Sequence, residues 1–299
     1  MKEFKTNEEL LEILKSKNVK INDDAFALTC LSNYSYYSVI NTYKLIFKDN
    51  DNYKTNVCFE EIFSLYEFDK KLKNIFMKNI LDIESVVKTK IANIFGEKHG
   101  IDNYLIPGNF NSDIDQKNNT NYIGDLISTI NEEINKNNGK HEAVTHYMNK
   151  YGFVPPWVLM KIISLGTISK FYGLMKQDDK QIISKCFGLS DNYLKSILGS
   201  LTAIRNICAH DDRLYSYRNT FFINVNRIFN KKIVEIGKTN YTTIYVVIIS
   251  MKKLLSPEKY DMFLQELKSC FVELQGSLTS INIDDIKRVM GIPITYNFE

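Results

Sequence analysis

Proline and arginine are both scarce, with five prolines and only Arg205, Arg213, Arg218, Arg227 and Arg288 in 299 residues. Few prolines leave long helices unbroken and exclude collagen-like or polyproline architectures. The five cysteines (Cys30, Cys58, Cys186, Cys208, Cys270) are never spaced as C-x-x-C, which argues against a disulfide framework or a zinc cage. They read as reduced thiols. No apolar stretch exceeds Ile244 to Ile249, far short of the roughly 18 residues that cross a bilayer, so no membrane association is expected. The opening MKEFKTNEELLEIL lacks the apolar run and small-residue cleavage site of a signal peptide, and a cytoplasmic location is expected. Glycine-rich phosphate loops of the Walker or dinucleotide type are missing, and carboxylates do not cluster at metal-ligand spacing. Nucleotide hydrolysis and two-metal nuclease chemistry are therefore disfavoured, and neither metal nor cofactor is expected.

What remains is a globular composition, 44% hydrophobic and 24% charged, in a chain long enough to bury a sizeable core. Apolar residues recur at three and four, the spacing of helices, and the expected fold is all-α. Thr6 followed by Glu9 forms a capping-box pattern ahead of Leu10, Leu11, Ile13 and Leu14, and Asn22 is expected to open a second helix. The aromatic run Tyr34 to Phe47 reads as a further helix, broken by the polar stretch Asp49 to Asn56. The strongest signal is a helix from Phe59 to about Phe95. Gly100 to Asn121 reads as a loop long enough to be mobile or functional, with a soft boundary there. Helices follow at Tyr122–Lys136 and Glu142–Lys150. Pro155 and Pro156 start one running to Leu174, apolar around its circumference and expected at the centre. Asp178–Phe187 closes at Gly188, Ser190 caps a helix from Tyr193 to His210, and Thr243–Leu255 is assigned helical despite its β-branched residues. Pro257–Leu274 and Ile283–Met290 complete the set.

Charge is unevenly placed. The net +3 divides into +4 between Arg205 and Lys238 and −1 elsewhere, so Arg218, Arg227, Lys231 and Lys232 are candidate RNA-phosphate contacts. His99, His141 and His146 lack company and are expected at the surface. His210 lies in LTAIRNICAHDDRLYSYR (Leu201 to Arg218), the one dense cluster of arginine, histidine and amide. Arg205 offers a planar fork for a phosphate, and His210 moves protons near neutrality. Asp211, Asp212 and the negative helix end would favour the charged imidazole. On an ideal helix Arg205 and His210 stand about 140° apart and about 7.5 Å along the axis. They converge only if the last turn relaxes or a second chain completes the site. In-line attack by a ribose 2′-hydroxyl needs a base and an acid together, and one histidine cannot serve as both in a single step. The competing structural reading is that both side chains cap helix carbonyls. Tyr34, Tyr36, Tyr37 and Tyr43 are candidates to stack on bases, with buried packing favoured, and Cys208 reads as filler rather than nucleophile.

The string resembles the RNxxxH form of the Arg-x4-6-His signature of HEPN ribonucleases. More specifically, it resembles the RNxCAHxxRLW segment of the Abi family of abortive-infection proteins, through Arg205, Asn206, Cys208, Ala209, His210, Arg213 and Leu214. Tyr36–Phe47, the Ile83–Glu84 pair with Lys88, Pro155–Tyr172 and Gly291–Ile294 are similar to further family segments in family order. Lys88, Lys161, Tyr215 and Asp211 depart from the pattern, in place of arginine, glutamate, tryptophan and a second histidine. The resemblance implies a helical bundle of HEPN type, RNA cleavage without metal, and phage defence. Arg205, Asn206 and His210 would be the catalytic set, supported by Glu84 and Arg213. Glu84 either reaches Arg205 or His210 or pairs with Lys88. The whole chain, 1–299, is expected to be one unit: N-terminal helices over 1–56, a bundle over roughly 57–275 and a short tail over 276–299. The expected partners are an RNA substrate and a second copy, with a small RNA or a protein antitoxin as candidate restraints. The alternative is a non-catalytic helical module that binds RNA or a protein.

Overall fold

The computed structural model describes residues 3–235 and 237–298, with Lys238 described by its backbone alone. It is all-α apart from one two-strand ribbon. Helix α1 (Asn7–Ser16) begins at the expected box: Thr6 Oγ1 accepts from the Glu9 N–H, and the Glu9 carboxylate accepts from the Thr6 N–H at 2.8 Å. Helix α2 (Asp24–Tyr34) is capped by Asp23, one residue later than expected. Asn22 is otherwise engaged, since its backbone N–H and side-chain amide both donate to Glu60.

The aromatic stretch Tyr34–Phe47 is not one helix. Ser35 takes φ +59°, ψ 147°, and a π-turn (Tyr37–Asn41) and a 3-10 turn (Lys44–Phe47) follow. These breaks let Tyr43 and Phe47 both reach the core, and we call this segment the aromatic strap. It ends in the ribbon β1 (Lys48–Asp49) and β2 (Asn52–Tyr53), antiparallel with Lys48 opposite Tyr53.

Helix α3 (Phe59–His99) is 41 residues, about 60 Å at 1.5 Å per residue. Its stripe of Ile62, Leu72, Phe76, Ile80, Ile83, Val87, Ile91 and Phe95 is fully buried. Beyond it come α4 (Asp113–Asn118), α5 (Tyr122–Asn137), α6 (Glu142–Tyr151), α7 (Pro156–Ile162), α8 (Leu165–Leu174), α9 (Gln177–Lys185) and α10 (Asp191–Ala209). The chain closes with α11 (Val225–Ile228), α12 (Ile244–Met251), α13 (Pro257–Ser277) and α14 (Ile283–Met290). The long helix packs against α7, α9, α10 and α13, and α10 packs in turn against α8, α9 and α12. Helix α12 is buried along its whole length, so packing overrides its β-branched propensity. Among the described residues no helix is long and apolar enough to cross a membrane.

Three further expectations are corrected. The segment Gly100–Asn121 is anchored: Tyr104 donates to the Val154 carbonyl at 2.6 Å, and Phe110 packs edge-on against Phe171. The single helix expected from Pro156 to Leu174 breaks at Ile163–Ser164, where Ser164 Oγ accepts from the Thr167 N–H, and Trp157 is 47% exposed rather than central. His99 is not at the surface but sits beside buried Asp179, Nε2 to Oδ2 2.7 Å, with Lys98 on the other oxygen. Burial alone would raise the Asp179 carboxyl, but hydrogen bonds from Lys98 and His99 outweigh it and hold it below the ordinary value. Within the short tail expected over 276–299, Phe298 packs on Phe271 and Tyr296 against Tyr245.

That last stretch is held by a buried carboxylate. Glu61 Oε1 accepts from the N–H groups of Thr279, Ser280 and Ile281, and Oε2 accepts from the hydroxyls of Thr279 and Ser280. Backbone donors cannot reverse, but hydroxyls can turn to accept. Glu61→Gln can therefore keep its carbonyl on the N–H groups and its amide on the hydroxyls, and should cost only about 1 kcal/mol. Glu61→Ala strands the donors and should cost roughly 3 kcal/mol by urea unfolding. Equal losses would refute this division of labour between the two oxygens.

Candidate functional site

Ser190 caps α10 through the Tyr193 N–H, and Leu194, Ile197, Leu198, Leu201 and Ile204 turn one face of the helix into the core. Its last turn carries Arg205, half-buried at the edge of that face, and Asn206 and His210, both exposed on the opposite side. His210 is the last near-helical residue (φ −98°, ψ 6°), its N–H bonded to the Asn206 carbonyl at 3.0 Å. Asp211 then takes φ +57°, and the Asp212 N–H returns to the Ile207 carbonyl at 3.1 Å, the bond that defines a Schellman ending. The helix end is thus closed by backbone. Among the described residues the side chains of Arg205, Asn206 and His210 have no hydrogen-bond or ion-pair partner, so neither Arg205 nor His210 caps a carbonyl. Because the last turn does not relax, helix geometry keeps Arg205 and His210 on different faces, whereas Asn206 and His210, four apart, share one.

The loop behind His210 is fixed from α3. Asp69, fully buried, accepts from the Tyr215 N–H on Oδ1 at 2.6 Å, and on Oδ2 from the Leu214 N–H at 3.0 Å and the Tyr43 hydroxyl at 2.7 Å. Burial pushes this carboxyl up, against the pull of those donors and of Lys73. Lys73, one turn along and 5% exposed at its side chain, pairs with Asp211 and lies 3.9 Å from Asp69. Tyr215 stacks on Tyr43 with centroids 6.0 Å apart. Arg213 lies over the Tyr215 ring and donates to the Thr42 carbonyl at 2.7 Å. Arg213 therefore ties the loop to the aromatic strap.

Sequence reasoning missed Asp69 and Lys73. A signal was present: in Leu65, Asp69, Leu72, Phe76 a carboxylate occupies a core position of the apolar stripe, which only a set of donors can satisfy. Glu84 pairs with Lys88 at 2.6 Å, both side chains largely buried, and Lys88 also donates to the Ile163 carbonyl. That pair serves the break between α7 and α8 and leaves Glu84 without a bond to Arg205 or His210. Arg218, Arg227, Lys231 and Lys232 are all exposed, with Lys232 3.2 Å from Glu235; the side chain of Lys238 lies outside the described residues. Burial pushes the Cys208 thiol up to about 12, an unreactive state near neutrality. Of the four tyrosines, Tyr43 is buried, Tyr34 and Tyr36 are half-buried and Tyr37 is 73% exposed.

Both Asp69 oxygens take backbone N–H groups, so no orientation of an amide fits. Asp69→Asn must set an NH2 against a backbone N–H, and it also removes a charge from beside Lys73. We expect a loss of about 3–5 kcal/mol in denaturant, well above that of Glu61→Gln. A loss under about 1 kcal/mol would show that the loop does not depend on this carboxylate.

No curated protein and no solved structure matches the chain. The family model described as Abi-like protein matches residues 29–216, from within α2 through the aromatic strap, α3 and α10 to the clamped loop after His210. That match covers well over half of the sequence, so the chain belongs to the Abi-like protein family, which supports a role in abortive-infection phage defence.

Proposed function

We propose that the protein is an endoribonuclease of phage defence, acting without metal through a composite Arg/His site formed where two copies meet. One observation carries this reading: Arg205, Asn206 and His210 sit unpartnered on a helix end that backbone and a buried clamp already hold in place. Side chains with no structural task, of types suited to a phosphate and a proton, fit a ligand better than a cap. Arg205 holds the scissile phosphate through its fork. Neutral His210 of one copy takes the proton from the ribose 2′-hydroxyl as it attacks phosphorus. The protonated His210 of a second copy gives its proton to the departing 5′-oxygen, leaving a 2′,3′-cyclic phosphate. Asn206, on the same face as His210, positions the ribose. Arg218, Arg227, Lys231 and Lys232 supply phosphate contacts along the strand.

Purified protein incubated with total RNA in EDTA should cleave it and leave cyclic phosphate ends. His210→Ala should melt almost unchanged, since its side chain caps nothing, yet cleave roughly 10²-fold or more slowly. Intact RNA that still shifts on a gel would favour a non-catalytic RNA-binding module instead. Mixing Arg205→Ala chains with His210→Ala chains tests the second copy. If each cleft needs a histidine from each chain, the mixture stays well below wild type; substantial recovery would overturn the two-histidine mechanism.

A further inference from the structure

A groove of about 430 Å³ opens beside the motif, lined by Leu31, Ser32, Asn33, Tyr34, Ser35, Ser38, Tyr66 and Asp211. Its volume lies within the roughly 300–1,000 Å³ of small-molecule sites. One wall is the end of α2 and the start of the aromatic strap, another is α3, and the third is the residue that follows His210. Four of its polar groups have no hydrogen-bond partner among the described residues: the Asn33 amide and the hydroxyls of Ser32, Tyr34 and Tyr66. Tyr66 is 5% exposed, so an almost wholly buried side chain brings an unpaired hydroxyl to this groove. Burial holds that phenol up at about 12, in its donating form.

We propose that this groove is the pocket for one unpaired nucleobase of the RNA flanking the scissile phosphate. The assignment rests on the nuclease reading above. The lining decides between base and phosphate. The one charged residue of its lining is Asp211, a carboxylate already paired with Lys73, and no lysine, arginine or histidine lines the cavity, so a phosphate would meet an anion with no lining cation to hold it. A base needs an aromatic surface and groups able both to donate and to accept at its edge. Tyr34 supplies the ring, backed by Phe63 and Tyr66 at centroid distances of 5.9 and 5.4 Å, with Lys70 Nζ 4.9 Å from its centroid. Asn33, Ser32 and Tyr66 supply the edge contacts, while Ser35 and Ser38 bond each other at 3.1 Å. Ser35, at φ +59° and ψ 147°, holds a backbone shape that costs energy for any residue but glycine, and this conformation ends α2 at the groove.

The test uses the full chain carrying His210→Ala, which blocks cleavage, and a short single-stranded oligoribonucleotide alongside the same strand with single abasic positions. In that background Tyr34→Leu should weaken binding roughly 5- to 150-fold, the range of one lost base stack. Asn33→Ala, an exposed change that spares the fold, should weaken it less. An abasic position at the preferred register should reproduce the loss in the parent and add nothing in Tyr34→Leu. The slope of affinity against salt should be the same in all of them, because no phosphate contact is removed. Parent-like binding by both variants, or a flattened salt slope, would overturn the pocket while leaving the nuclease reading intact. Failure of the unmutated chain to cut or bind any RNA would overturn both.

Discussion

Two backbone N–H groups, a phenol and a neighbouring ammonium converge on the buried carboxylate of Asp69, and the candidate site depends on that convergence. A charge placed in a helical core is costly unless every lone pair is used. Here each partner comes from a different part of the chain. Tyr43 brings the aromatic strap, Leu214 and Tyr215 bring the loop after the motif, and Lys73 carries the contact on to Asp211. One side chain thus sets the distance between α3, the end of α10 and the N-terminal region. That explains how a surface histidine can be held firmly although its side chain has no partner among the described residues.

The same device recurs along α3. Glu60 takes the donors ahead of α2, Glu61 those ahead of α14, and Asp69 those behind α10. Each is an acid on the long helix accepting backbone N–H groups from a loop distant in sequence. Loops carry more unpaired amides than they can satisfy internally, and an acid on a rigid helix answers several at once. The helix therefore acts as the frame on which the connections are fixed as well as the core of the bundle.

Local signals in the sequence were sufficient where structure is local. The Thr6–Glu9 box, the Ser190 cap and the span of α3 follow from spacing and neighbours within four residues. What was not legible depends on partners far away. Asn22 looks like a cap until Glu60 claims it, and the Pro156–Leu174 stretch looks continuous until Ser164 caps a second start and Lys88 takes the Ile163 carbonyl. His99 reads as a surface residue because Asp179, eighty positions on, is invisible to periodicity. For the site, the residue types at Arg205, Asn206 and His210 were readable, but whether they cap the helix is a matter of geometry.

That geometry bears on why Asp211 stands where the resemblance noted above would place a second histidine. The position directly after the cap needs a left-handed backbone, which Asp tolerates better than most residues apart from glycine and Asn. Its carboxylate then reaches Lys73, whose charge would otherwise be nearly buried beside Asp69 alone. An imidazole there would be a weaker partner for the ammonium and would loosen the loop that presents His210. Asp211 thus favours placement over a second proton carrier in the same chain. Under the proposed mechanism two proton transfers then call for a second copy, and the cost of holding His210 still is that one chain alone would not complete that chemistry.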